Sequence, residues 1–146
     1  MTEFPQDYAR PVWVPLFVAW LIALISTVGA LFVGEVMGQA PCTLCWYQRI
    51  FMFPLSLILG VACYQSDTEV WRYALPLATI GGAIAGYHSA LYAGVLPVAI
   101  EPCGEGPSCS SAAMTVFGGV PIPYLSFGAF AGIVLLLIIA HRRTLS

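Results

Sequence analysis

The sequence has no lysine and little charge of either sign. Only 8% of its 146 residues are charged, with five basic and seven acidic side chains and a formal net charge of −2. An ordinary soluble domain is about one-quarter charged, so this chain could not cover a water-facing surface. A nucleic-acid partner is not expected, because phosphate binding needs clustered basic residues. Disordered chains are polar and highly charged, which excludes that class too.

Hydrophobic residues make up 60% of the chain, and the mean hydropathy is +0.88. A membrane-spanning helix needs about 20 apolar residues, and four stretches are long enough: 12–33, 46–64, 71–91 and 122–140. Together they occupy more than half of the chain. The sequence therefore predicts an all-α membrane protein, a four-transmembrane-helix bundle that forms a single integral membrane domain over 1–146.

The basic residues predict the orientation of this bundle. Four of the five arginines lie in segments on the same side as both termini: Arg10, Arg72, Arg142 and Arg143. Basic residues favour the cytoplasmic side of a membrane. We therefore expect both termini in the cytoplasm and two outer loops, 34–45 and 94–121.

Small residues recur along the third and fourth predicted helices. In the third they stand every four residues, at Ala78, Gly82, Gly86 and Ala90. Such spacing lets helix backbones approach closely inside a membrane. We expect packing within the bundle, with a homodimer contact as the alternative.

Five cysteines divide into two close pairs and one isolated residue. Cys42 and Cys45 form a C-x-x-C at the mouth of the second predicted helix, and Cys103 and Cys109 lie in the second outer loop. Both pairs are therefore expected on the oxidising side of the membrane. Cys63, inside the second apolar stretch, is predicted to be a small packing residue.

A C-x-x-C at a helix start favours a thiolate, because free backbone N–H groups and the helix dipole stabilise negative charge there. Arg49 follows Cys45 by four residues and so shares its helix face, where its guanidinium would further stabilise a Cys45 thiolate. Ionisable groups inside a membrane span are costly and indicate function. The alternative is that Arg49 anchors the helix by reaching the lipid headgroups.

Two other interpretations of the cysteines are structural disulfides and a zinc site. A disulfide across two residues closes too short a loop to stabilise the fold much. A zinc site would need four permanent thiolates beside a guanidinium, on the oxidising side. The pattern therefore favours redox chemistry without a metal. Between Cys103 and Cys109, the turn-forming insert Gly-Glu-Gly-Pro-Ser lets the two sulfur atoms meet.

The sequence also indicates the kind of electron acceptor. Thiol–disulfide exchange can pass oxidising equivalents from one cysteine pair to the other. No flavin or nicotinamide motif is present, and Trp46 rather than histidine follows Cys45, which excludes the c-type haem motif. A lipid-soluble acceptor is then expected, and a quinone is the obvious candidate.

The run Cys-Thr-Leu-Cys-Trp-Tyr-Gln-Arg at 42–49 resembles the signature of the DsbB disulfide-bond-formation proteins. The short second outer loop resembles that of the small BdbC-type branch of the family. Weaker matches are Tyr87-His88 in the third predicted helix and the segment 120–126. The resemblance extends over about 13–140 and implies the same four-helix layout.

This resemblance implies a quinone-dependent protein thiol:disulfide oxidoreductase in the bacterial cytoplasmic membrane, with its active site outside. A reduced DsbA- or BdbD-like thioredoxin-fold partner would attack the second disulfide at Cys103. Cys109 would then pass the electrons to Cys42. Cys45 would become a thiolate against the quinone, either ubiquinone or menaquinone.

The same resemblance gives Arg49 the role of orienting the quinone and stabilising negative charge. It implies that His88 hydrogen-bonds a ring carbonyl of the quinone. Two rival functions remain. A vitamin K epoxide reductase-like protein also has four helices, but its C-x-x-C belongs to the last helix. A non-enzymatic membrane scaffold with structural disulfides would leave Arg49 and the C-x-x-C without a function.

Overall fold

The computed structural model describes residues 10–97, 109, 115–116 and 118–145. Its four long helices are α1 (Arg10–Leu31), α2 (Thr43–Gln65), α3 (Trp71–Tyr92) and α4 (Ile122–Thr144). The prediction of a helical protein is confirmed. A π-helical turn, Phe32–Val36, continues α1, and two short strands precede α4. These are β1 (Thr115–Val116) and β2 (Val120–Pro121), which pair antiparallel with Thr115 opposite Pro121.

The helices pack in a ring around a shared core. α1 contacts α2, α2 contacts α3, α3 contacts α4, and α4 closes the ring against α1. Large apolar side chains fill the centre, and Leu55, Leu59, Phe130 and Ile133 are completely buried there. The outward faces remain apolar as well, which is the arrangement expected of helices that meet lipid instead of water.

Small residues of α3 allow it to approach α4 closely. A Cβ atom built at Gly81 would lie 2.3 Å from the Phe130 ring, and one at Gly86 would lie 3.3 Å from the Phe127 ring. Ala78, one turn before Gly81, is completely buried. Ala78 and Gly86 of the predicted stripe therefore lie where α3 packs within the bundle, and the closest approach to α4 is at Gly81, which is not part of that stripe.

Three segments are long and apolar enough to cross a membrane: Val12–Val36, Thr43–Gln65 and Ile122–Thr144. Most residues in their apolar windows are not buried inside the structure. Exposed apolar surface of this extent needs a lipid environment, so the protein is a membrane protein. A membrane crossing by α3 and the cytoplasmic location of the termini stay predictions.

Candidate functional site

The C-x-x-C forms the N-terminus of α2. Cys42 is the N-cap residue with an extended backbone (φ −70°, ψ 168°), and its Sγ accepts a hydrogen bond from the backbone N–H of Cys45 at 3.3 Å. An N-cap side chain commonly satisfies one of the free N–H groups of the first turn in this way. The two sulfur atoms lie 2.8 Å apart as free thiols.

The two cysteines have different neighbours. Cys42 is only 1% exposed and belongs to a buried cluster with Leu44, Leu91 and Cys109. Cys45 is half-buried and lines a cavity. The arrangement places Cys42 in the same buried cluster as Cys109 and leaves Cys45 at the cavity wall.

Hydrogen bonds to Cys42 favour its thiolate form. The side chain of Cys45 lowers the pKa of Cys42 most strongly, and His88 and the backbone N–H of Cys45 lower it further. Burial acts in the opposite direction, because it penalises the charged form. The sequence predicts the reactive thiolate at Cys45, whereas these donors converge on Cys42.

The cavity beside Cys45 has a volume of about 440 Å³, which lies in the range of small-molecule sites. Its wall is formed by α1 and the π-helical turn, by the first half of α2 and by the start of α4. Most of the lining side chains are apolar. Polar lining groups include Cys45, Gln48, Arg49 and Ser126.

The guanidinium of Arg49 is held in this wall by a backbone carbonyl and by an aromatic ring. Its Nη2 donates a hydrogen bond to the Ala30 carbonyl at 2.8 Å, and its guanidinium carbon lies 5.4 Å from the centre of the Trp46 ring. A Cβ atom at Gly34 would lie 3.2 Å from Nη2. No carboxylate in the described part of the chain forms an ion pair with Arg49. Its charge is therefore available to a polar ligand in the cavity.

His88 lies on the other side of the cysteine pair. It is completely buried, and its Nε2 is 3.1 Å from the carbonyl oxygen of Cys109 and 3.9 Å from Sγ of Cys42. Its Nδ1 is 2.9 Å from Nε2 of Gln48. His88 does not itself line the cavity, and Gln48, which does, connects it to the wall. The contact between His88 and a quinone stays a prediction.

The remaining cysteines differ in their surroundings. Cys109 is completely buried and disulfide-bonded. Cys103, the other predicted residue of the second pair, lies outside the described residues. Cys63 is a free thiol that packs against the central core, away from the site.

Two polar residues of the site, Gln48 and Ser126, are not predicted as site residues from the sequence. The Ser126 hydroxyl donates a hydrogen bond to Oε1 of Gln48, and Gln48 is only 6% exposed. A buried polar side chain within an apolar helix needs a hydrogen-bond partner, so the position of Gln48 in the sequence could have indicated a site residue. The partners of Gln48 lie on other helices, so the spacing of residues in the sequence could not identify them.

Cys42, Cys45 and His88 place their ligating atoms within 4.8 Å of one another. A structural zinc site takes four ligands, and the described residues provide three. The thiol pair, the disulfide-bonded Cys109 and the cavity together fit thiol–disulfide exchange better than a closed metal site. Fold and site define a helical membrane protein with redox chemistry at one helix mouth.

Comparison with known proteins identifies the family. The model of "Disulfide bond formation protein DsbB" matches residues 10–140. The chain belongs to the DsbB family and is a membrane disulfide bond formation protein. A thiol:disulfide oxidoreductase activity follows from this membership, and so does a thiol oxidoreductase partner.

Relatives with similar names cover most of the chain. A "Probable disulfide formation protein" of Metapseudomonas resinovorans is 62% identical over 90% of this chain and 92% of its own length. "Disulfide bond formation protein C" of Bacillus subtilis (strain 168) is 42% identical over 82% of this chain and 87% of its own length. No solved structure gives a significant match.

Proposed function

We infer that this protein reoxidises a DsbA/BdbD-like thioredoxin-fold partner and passes the electrons to a membrane quinone, ubiquinone or menaquinone. The reaction would occur at the outer face of the bacterial cytoplasmic membrane. One observation carries this inference: Cys42 is clustered with the disulfide-bonded Cys109, while Cys45 lines an apolar cavity with Arg49. The adjacent sulfur atoms of Cys42 and Cys45 would thus carry electrons from Cys109, which receives them from the partner dithiol, to an acceptor in the cavity.

On the dithiol side, the proposed partner of Cys109 is Cys103. A thiolate of the reduced thioredoxin-fold partner attacks Cys103, and Cys109 leaves as a thiolate. Sγ of Cys109 then bonds to Cys42, the Cys42–Cys45 disulfide breaks, and the electron pair stays on Cys45. The location of Cys109 and Cys42 in one buried cluster supports this transfer, as does His88 Nε2, which lies 3.9 Å from Sγ of Cys42 and 3.1 Å from the carbonyl oxygen of Cys109.

Reset of the second pair completes the exchange. The second thiol of the partner releases Cys103 as a thiolate, which attacks Cys109. The Cys103–Cys109 bond re-forms, and Cys42 leaves as a thiolate. In total, the partner dithiol becomes a disulfide, and the C-x-x-C disulfide becomes two thiols.

The cavity fits a quinone head group. A quinone ring is flat and apolar with carbonyl oxygens at opposite ends, and the cavity combines apolar walls with the Arg49 donors and the Cys45 sulfur. A bound quinone would supply an acceptor for two electrons and two protons. Arg49 would orient a ring oxygen and stabilise the negative charge that develops there. Apolar walls exclude water from the Cys45 thiolate.

A coupled assay tests the proposal. Purified protein in detergent is mixed with a reduced thioredoxin-fold dithiol and a short-chain ubiquinone or menaquinone, and the quinone absorbance is followed. Wild-type protein should consume quinone, whereas Cys45→Ser and Cys109→Ser should not. Cys63→Ser, a thiol outside the site, is the matched control and should retain turnover. Absence of quinone consumption by wild-type protein, or full turnover by Cys45→Ser, contradicts the proposal.

A further inference from the structure

Three polar side chains from three helices link the cavity wall to Cys109. Ser126 of α4 donates to Oε1 of Gln48 in α2. Nε2 of Gln48 lies 2.9 Å from Nδ1 of His88 in α3. Nε2 of His88 lies 3.1 Å from the carbonyl oxygen of Cys109. The electron path from Cys109 through Cys42 to Cys45 does not include the side chains of this chain of hydrogen bonds.

The Cys109 carbonyl determines the direction of every hydrogen bond in the chain. A carbonyl oxygen can only accept, so Nε2 of His88 must carry a proton. In a neutral imidazole Nδ1 then accepts, and Gln48 must turn its NH₂ group toward it. The amide oxygen of Gln48 is left facing Ser126, whose hydroxyl must donate. The observed partners agree with this direction at each step.

The same N–H of His88 has a second acceptor within reach. Sγ of Cys42 lies 3.9 Å from Nε2 and already receives the backbone N–H of Cys45. A sulfur atom in a disulfide is a weak acceptor. While Cys42 is disulfide-bonded, the N–H of His88 therefore donates to the carbonyl of Cys109. A thiolate is a much stronger acceptor, because charged acceptors form shorter and stronger hydrogen bonds.

We propose that Ser126 and Gln48 are positioning residues that hold His88 as a neutral imidazole with its proton on Nε2. This N–H anchors the backbone of Cys109 beside Cys42 and then stabilises the thiolate that forms on Cys42. The inference rests on the proposed function, because it assumes transfer from Cys109 to Cys42.

The step that His88 serves is the release of Cys42. When the Cys103 thiolate attacks Cys109, the Cys103–Cys109 bond forms and the Cys109–Cys42 bond breaks. The electron pair of the broken bond stays on Cys42, and no proton has to move. A hydrogen bond from Nε2 to the new thiolate lowers the barrier of that step, while Gln48 prevents the proton from shifting to Nδ1.

Nuclear magnetic resonance of the full-length protein tests the tautomer without an activity measurement. The chain has two histidines, so His141→Gln leaves His88 as the only signal from ¹⁵N-labelled histidine. We expect a proton bonded to Nε2 and none to Nδ1. Gln48→Leu should produce a mixture of the two tautomers, and Ser126→Ala, the milder change, should shift the signal in the same direction. A proton on Nδ1 in the otherwise wild-type protein overturns the proposal.

A single-turnover measurement tests the consequence. Oxidised protein without added quinone is mixed with dithiothreitol, quenched in acid, and alkylated to follow appearance of the Cys42 and Cys45 thiols. The rate in Cys109→Ser, which reports direct attack on the C-x-x-C, is subtracted. Loss of a hydrogen bond to a charged group costs about tenfold or more, so His88→Phe, which removes the donor, should slow the transfer by about tenfold. Gln48→Leu should slow it by less, in proportion to the fraction of His88 whose proton moves to Nδ1.

The control is Ser89→Ala, next to His88, which loses bonds to the carbonyls of Ala85 and Pro123. It should leave the transfer rate unchanged. A wild-type rate in Gln48→Leu, or equal slowing in Ser89→Ala, overturns the inference. Because quinone is omitted, failure of the wild-type protein to reduce quinone refutes only the proposed function.

Discussion

Replacing Arg49 with methionine separates the two halves of the proposed reaction. The guanidinium lies in the cavity wall, and one of its N–H groups is occupied by the Ala30 carbonyl at 2.8 Å. Other donors of the fork remain for a ligand in the cavity. A hydrogen bond that involves a charged group contributes about 1.5–3 kcal/mol, which corresponds to a factor of about 10 to 150 in affinity. Arg49→Met should therefore raise the KM for quinone by at least about tenfold.

The reduction of the C-x-x-C by dithiol should slow by a smaller factor than the quinone KM rises, because Arg49 acts in that step only on the charge that develops on Cys45, whereas Cys42 and Cys109 lie together in the buried cluster. Steady-state quinone reduction at several quinone concentrations and single-turnover thiol formation measure the two halves. Arg72→Gln is the control, since it removes an arginine that pairs with Glu69 at the surface. An unchanged KM in folded Arg49→Met protein would show that Arg49 only anchors the helix.

Other predictions follow from the packing and from the thiol pair. Gly34→Val should raise the quinone KM in the coupled assay, because a Cβ 3.2 Å from the guanidinium displaces it. Gly81→Val should lower the Tm in detergent, since its Cβ would lie 2.3 Å from an aromatic ring and overpacking costs about 1–3 kcal/mol or more. With its pKa lowered, reduced Cys42 should show ultraviolet thiolate absorbance below pH ~8.5 and lose it as the pH falls. Cys45→Ala should move that loss to higher pH, because the Cys45 hydrogen bond is the largest cause of the lowering.

A matched glycine change provides the control for both packing predictions. A Cβ at Gly128 would have nothing within 4 Å, so Gly128→Ala should leave the KM and the Tm unchanged. A wild-type Tm in Gly81→Val, or a wild-type KM in Gly34→Val, would contradict the packing argument. Titration of Cys42 at the same pH in Cys45→Ala and wild-type protein would contradict the assigned cause of its lowered pKa.

Hydropathy was sufficient to locate the helices, because the preference of a helix for lipid depends mainly on its own composition. The start of α2 shows the limit of that signal. The apolar run begins at Trp46, yet the helix begins at Thr43 because Cys42 caps it with its sulfur atom. The C-x-x-C and Arg49 were recognisable from the sequence since they lie within one contiguous motif. The four-residue spacing between Cys45 and Arg49 also indicated that they share a helix face.

The sequence by itself determined the helical class, the cysteine pairs and the charge beside them, because each depends on residues close together in the chain. Only the tertiary structure decided that Cys42 and Cys109 share one buried cluster while Cys45 lines the cavity. It also decided that Ser126 reaches Gln48, 78 residues away. Contacts between helices depend on how each helix is rotated and how deeply it sits against its neighbours. The spacing of residues within one helix does not show how that helix is rotated or how deeply it packs.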